Sequence, residues 1–377
     1  MLNSTVQHNS TPVTMLTITN VAIMGASGDL GQVLVPALLK AGFEVTAISR
    51  PNGTTVKYPG VTVKTAAYDN IAGLASALRG QHAVIEAFNP AAASSQSDIV
   101  QASIAAGVAH LITPEFSTNS FNEHADDMKI FEPKRRAQRE LEAAVSSSDG
   151  AISWTAVIVG GWYDWAIEKG KFWIDRKAHS VTRFGSGNQK YSISRLALSG
   201  DAVVAVLMSP DQYRNRPAYF ASHTISTNEM IALLAEIGHD EWHITDIPIE
   251  GFMKKALELW DQDTANGVTN RLQTDAYRML GDLLADLHLS SDAAAKAADR
   301  LRAVERKAAA TKALKEGHAV GGKADGGSDG GYRFILEDSS QWATARQATR
   351  ATVNQSPSPL CIESTYTQRF FMRKGLA

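Results

Sequence analysis

One run constrains the fold more than any other: Val21-Ala22-Ile23-Met24-Gly25-Ala26-Ser27-Gly28-Asp29-Leu30-Gly31-Gln32-Val33-Leu34. It reads as a buried strand, a glycine turn and the first turns of a helix. Such a turn aims free backbone N–H groups and the positive end of the helix at one point, which suits a pyrophosphate. Gly25 allows the tight turn, Gly28 lets the backbone approach a ligand, and Gly31 lets helix and strand pack closely. Ser27, Asp29 and Leu30 fill the rest of the loop and belong to the same expected dinucleotide site. A glycine triplet alone says little. The flanking strand, the helix and the β-α-β pattern that follows give it meaning.

The second expected strand, Glu44–Ser49, ends at Ser49-Arg50. An NAD site calls for a carboxylate near this point to hold the ribose 2′-hydroxyl. Arg50 offers instead a fork of donors for a 2′-phosphate and a plane for adenine. Lys57, a few residues on, adds charge. The expected cofactor is therefore NADP(H).

From residue 17 to residue 156, short apolar runs alternate with helical segments. The fold class is α/β: a Rossmann-type doubly wound parallel sheet with a smaller C-terminal substrate-binding domain. Expected strands are Thr19–Met24, Glu44–Ser49, Val61–Thr65, Ala83–Phe88, His110–Thr113 and Ser153–Val159. Expected helices are Gly31–Ala41, Ile71–Leu78, Asp98–Ala106 and Pro133–Ser146. Loops after the strands converge on one edge, among them Phe88-Asn89-Pro90, with Phe88 at the cofactor, and Thr113-Pro114-Glu115-Phe116. Residues 1–16 read as a flexible arm, 17–156 as the NADP-binding domain and 157–289 as the substrate lobe. Residues 290–377 hold an Ala-rich helix, a Gly-rich linker and a tail with Ser-Pro repeats.

Composition closes off several function classes. The 377 residues carry a formal net charge of −2, which supplies no field for nucleic acid or an anionic membrane. The single cysteine, Cys361, excludes an internal disulfide framework and a thiolate metal site. No apolar run reaches membrane-spanning length. Residues 1–16 resemble neither a secretory nor a mitochondrial leader, so a cytoplasmic protein is expected. Its expected partner is a small molecule, with the C-terminal tail available to a protein partner.

Short-chain dehydrogenases pair a catalytic Tyr with a Lys four residues later, and no tyrosine here has one. A lone lysine remains. Lys134 follows Pro133, which suits the first turn of a helix, and Arg135, Arg136 and the helix end all disfavour an extra positive charge there. The readings stay open: Lys134 transfers a proton, or it only hydrogen-bonds the nicotinamide ribose or is solvated. Phe116, Trp162, Tyr163, Trp165 and Phe172 are candidates for a substrate pocket and equally for core. His124 could assist at the site and Asp69 could approach adenine, each also explained by ordinary surface or turn chemistry.

The glycine loop, Arg50, Ile112-Thr113-Pro114-Glu115-Phe116, Pro133-Lys134 with Glu140, and Trp154–Trp165 together resemble the isoflavone-reductase/NmrA-like family. This is the atypical branch of the short-chain dehydrogenases, and the chain is similar to its fungal members over residues 17–287. The resemblance implies an NADPH-dependent reductase of a secondary metabolite, acting on an enone, carbonyl, imine or ether. It puts Lys134 at the catalytic-lysine position, Arg50 at the 2′-phosphate, and Glu115 and Phe116 beside the nicotinamide. Plant reductases read Pro-Ser-Glu-Phe-Gly where this chain reads Thr113-Pro114-Glu115-Phe116-Ser117. The family also contains non-catalytic redox sensors that bind the dinucleotide and regulate a protein partner, and this is the alternative.

Overall fold

The alternation of apolar runs and helices folds into a seven-stranded parallel sheet with helices on both faces. The computed structural model describes residues 16–54, 58–88, 96–122, 125, 128–169, 173–237, 241–269, 271 and 274–283. The first half runs β1 (Asn20–Met24), α1 (Asp29–Lys40), β2 (Glu44–Ser49), β3 (Val61–Thr65), α2 (Ile71–Leu78), β4 (Ala83–Glu86), α3 (Gln96–Ala106), β5 (His110–Ile112), α4 (Glu132–Ser146) and β6 (Ser153–Ile158). Then come β7 (Gly161–Trp162), α5 (Tyr163–Glu168), β8 (Ile174–Asp175), β9 (Ser180–Phe184), β10 (Lys190–Ser194), α6 (Leu198–Met208), β11 (Arg216–Tyr219), β12 (His223–Ser226), α7 (Thr227–Ile237), β13 (His243–Ile247), α8 (Ile249–Ala265) and α9 (Asp275–Asp282).

The large sheet has the order β11-β6-β5-β4-β1-β2-β3. Strand order reverses at β1, so the ligand crevice of such a sheet lies beyond the C-terminal ends of β1 and β4. Alternation along each strand divides the core. Val21, Ile23, Ala83 and Ile85 face α1 and α6 with Leu34, Leu38, Val203 and Leu207. Ala22, Met24, Val84 and Leu111 face α2, α3 and α4 with Leu74, Ile99 and Leu141.

The seventh strand and its helix come from beyond residue 156. β11 pairs in parallel with β6, and α6 packs on α1 so closely that a Cβ on Gly200 would lie 2.8 Å from the Ala37 Cβ. The sheet therefore extends past the boundary expected at 156/157. Two three-stranded sheets, β12-β10-β7 and β13-β9-β8, form the rest of this half. Helices α8 and α9 bury Trp260 and Leu280 against Ile130 and Phe131, the short turn that leads into α4. The base of α4 is thus gripped from the second half of the chain. The expected arm up to residue 15, the Ala-rich helix, the linker and the tail lie outside the described residues, as do Lys57, His124 and Phe172.

Candidate active site

Three glycines shape the first wall of the crevice, each in its own way. Gly25 has φ +88°, and a Cβ there would lie 2.3 Å from the Ala87 carbonyl oxygen. A Cβ on Gly31 would lie 2.5 Å from the Gly25 and Ala26 carbonyl oxygens. Both positions demand glycine for packing. Gly28 is different: its Cβ would meet nothing nearer than the Gly25 oxygen at 3.6 Å. Its open side is the room expected for a ligand. Gly28 is also the N-cap of α1 and supplies no side-chain cap, so the N–H groups of the first turn are left for an anion.

Ser27 and Asp29 are exposed on this loop. The Leu30 side chain is buried in the core, which leaves only its backbone N–H for a ligand. Arg50 is exposed immediately after β2, with no carboxylate at the strand end. Phe88 lies 5.6 Å, centroid to centroid, from Tyr68. The Tyr68 hydroxyl donates to the Ile48 carbonyl at 3.1 Å. Burial raises its phenol above the ordinary value, while Arg50 and the Gly25 backbone pull the other way. Tyr68 thereby joins the ends of β1, β2 and β4, a role no local signal announces. Asp69 beside it is exposed.

The second wall is built by β5, the loop after it and α4. Thr113 N–H donates to the Thr155 carbonyl at 3.1 Å and Phe116 N–H to the Val157 carbonyl at 2.8 Å, so the loop is stitched along β6. Phe116 takes φ +42°, a region costly for a bulky residue. That turn points the Glu115 carboxylate at α4. Lys134, near the start of α4, donates to the Glu115 carbonyl at 2.7 Å, Glu115 Oε2 at 3.2 Å and Ser117 Oγ at 2.6 Å. Ser120 Oγ–H adds a bond to Glu115 Oε2 at 2.8 Å. An ammonium has three donors, and all three are engaged. The side chains of Lys134 and Glu115 are 13% and 3% exposed, so this is an enclosed ion pair. Arg135 is turned away, donating to the Ser120 carbonyl at 3.0 Å.

The expected aromatic pocket needs correction. Phe116 is buried in the core on the α1 face, and Tyr163 is buried among Ile174, Tyr191 and Ile193. Burial pushes the Tyr163 phenol up to about 12, and the ring serves packing. Trp162 and Trp165 make an edge-to-face pair at 5.9 Å, and Trp165 Nε1–H donates to Asp29 Oδ2 at 2.8 Å. They stand over the glycine loop, so their placement is on the cofactor side of the crevice. Period alone could not separate these roles.

Two titratable groups escaped the sequence reading. Glu86 ends β4 fully buried, and burial raises its carboxyl to about 8. The signal was there: a lone carboxylate in the apolar run Ala83–Phe88. His110 at the start of β5 is also fully buried, bonded to Ser153 and Thr155, and burial lowers it to about 3. Among the described residues there is no cluster able to hold a metal ion, and no helix is long and apolar enough to cross a membrane.

Fold and site define a Rossmann-type α/β protein with a glycine loop at the switch point and a buried lysine–glutamate pair on the same edge. Residues 17–160 match the model of the NmrA-like family. It is similar to the oxidoreductase poxI of Penicillium oxalicum, 27% identical over 220 residues, 58% of this chain and 70% of that protein. A solved structure described as AtPrR2 with NADP+ and (+)pinoresinol has a TM-score of 0.54 at 17% identity, over 71% of this chain and 86% of that one. An isoflavone reductase structure has a TM-score of 0.54 at 18% identity, over 71% and 88%. At such identities the likeness is one of fold.

Proposed function

We propose that the chain is an NADPH-dependent reductase of a small, aromatic secondary metabolite bearing an enone, carbonyl, imine or ether. The observation that carries this reading is the enclosed Lys134 ammonium at the same sheet edge as the glycine loop. The open side of Gly28, the uncapped N-terminus of α1 and the exposed Arg50 fit a diphosphate and a 2′-phosphate. The named oxidoreductase relative and the NADP+-bound structural neighbour support the same cofactor and chemistry.

When bound, NADPH supplies the hydride. Lys134 supplies the proton that the reduced substrate needs, breaking one Nζ–H bond and becoming an amine. Since its three donors are engaged, one acceptor must be exchanged for the substrate, or the Ser117 hydroxyl must carry the proton across. Glu115 holds the ammonium in place before transfer. The burial of Phe116 and Tyr163 favours a second reading, in which NADP(H) binding regulates a protein partner without chemistry.

Oxidation of NADPH against a panel of enones and aryl carbonyls tests both. The reductase reading expects turnover with some member and a loss of about 100-fold or more in Lys134→Ala, the usual worth of a general acid. Full turnover in that variant removes Lys134 from the mechanism. Tight NADPH binding with no turnover on any member favours the regulator.

A further inference from the structure

Three buried polar atoms at the C-terminal edge of the sheet have no partner: Glu86 Oε2, Gln96 Oε1 and Thr113 Oγ1. Topology makes them neighbours. β4 and β5 pair in parallel with Ile85 opposite Ile112, so Glu86 and Thr113, one residue further along each strand, leave the sheet on one face. It is the face of Val84 and Leu111, covered by α3 and α4. Gln96 opens α3 above them and donates Nε2–H to Glu86 Oε1 at 2.9 Å. All three residues are almost wholly buried: Glu86 at 0%, Gln96 at 2% and Thr113 at 3% exposure.

An unpaired buried polar group is costly, and a cluster of them marks a missing partner. A cavity lies at this place, walled by Gln96, Thr113, Glu115, Lys134 and Leu141, with room for about one water molecule. The cavity is polar on the side of the unpartnered atoms and backs directly onto the Lys134–Glu115 pair.

We propose that this cavity is a binding site for one water molecule, held by Gln96 and Thr113, which positions the Glu115 carboxylate for Lys134. The water donates one hydrogen to Gln96 Oε1 and accepts the Thr113 hydroxyl. Its second hydrogen remains for the Glu115 carboxylate on the same wall. Glu86 completes the network from behind. Burial keeps its carboxyl protonated in neutral solution, and its Oε1 accepts Gln96 Nε2–H, which anchors the amide at the cavity wall. Gln96 and Thr113 are thus positioning residues that act through Glu115. The water site stands independently of the reductase reading; only its consequence for proton transfer rests on it.

High-resolution crystal structures of the full chain, Thr113→Val and Thr113→Ser test the proposal. The expected result is density for a water within hydrogen-bond distance of Gln96 Oε1 and Thr113 Oγ1 in the unmodified protein. Thr113→Ser keeps that water and the Lys134–Glu115 contact, whereas Thr113→Val loses the water and displaces the carboxylate. A dry cavity in the unmodified protein, or a Thr113→Val structure with the contact intact, overturns it. If Thr113→Val does not fold, Gln96→Met removes the other anchor and is read the same way. A Lys134→Ala protein with full turnover would defeat the reductase reading while leaving the density unchanged, so the two failures are distinct.

Discussion

A buried carboxyl is a liability that can be measured. Glu86 titrates near its ordinary value in the unfolded chain and at about 8 in the folded one. Between those values the folded state holds one proton more, so stability falls as pH rises, by about 1.4 kcal/mol per unit. His110 works the other way. Its folded value of about 3 means the unfolded chain holds the extra proton below its ordinary value, so stability is lost as pH falls below about 6.5. The two slopes oppose one another in mildly acid solution, and only the Glu86 slope remains between neutrality and pH 8. Glu86→Gln keeps a neutral side chain of the same shape. Its melting temperature relative to the unmodified protein is expected to climb steadily from pH 5 to pH 8. A difference that does not change with pH would show that Glu86 is not held protonated.

Most elements of the first half were legible from their periodicity. Glu44–Ser49, Val61–Thr65 and Ile71–Leu78 have their expected bounds, and β1, β4, β5 and β6 differ by one or two residues. β1, β4, β5 and β6 are apolar because parallel strands inside the sheet pack on both sides. The edge strand β3 is mostly solvated and was legible from its β-branched alternation. β11 is a half-buried edge strand, Arg-Pro-Ala-Tyr, that carries Pro217, so no apolar run announces it. The site divides on similar lines. Lys134 and Glu115 could be placed by motif, but the Ser117 bond depends on how the Phe116 turn is stitched to β6. Tyr163 needed a side-chain direction that spacing does not carry.

The α4 pair gives a test at this scale. Removing Lys134 strands a carboxylate that is 3% exposed, and breaking one partner of a buried pair costs about 3–5 kcal/mol. Lys134→Met is therefore expected to lower stability by that order in urea unfolding, and Lys134→Met with Glu115→Gln to recover most of it. A single variant as stable as the unmodified protein would mean that the pair is solvated.

At the scale of the molecule, the two halves of the chain meet at the same edge. α6 and β11 complete the sheet, α8 and α9 hold the base of α4, and Trp165 reaches Asp29 on the glycine loop. The glycine loop and Lys134 on α4 are therefore set by one framework. The central claim is that this framework binds a 2′-phosphorylated dinucleotide. The most direct measurement compares the dissociation constants of NADPH and NADH for the purified protein and for Arg50→Ala. The account predicts tight NADPH binding with at least a tenfold preference over NADH, about 1.4 kcal/mol, and loss of that preference in Arg50→Ala. Equal affinity for the two cofactors, or an Arg50→Ala protein that still prefers NADPH, would contradict the 2′-phosphate site. Binding of neither would contradict the reading of the whole crevice.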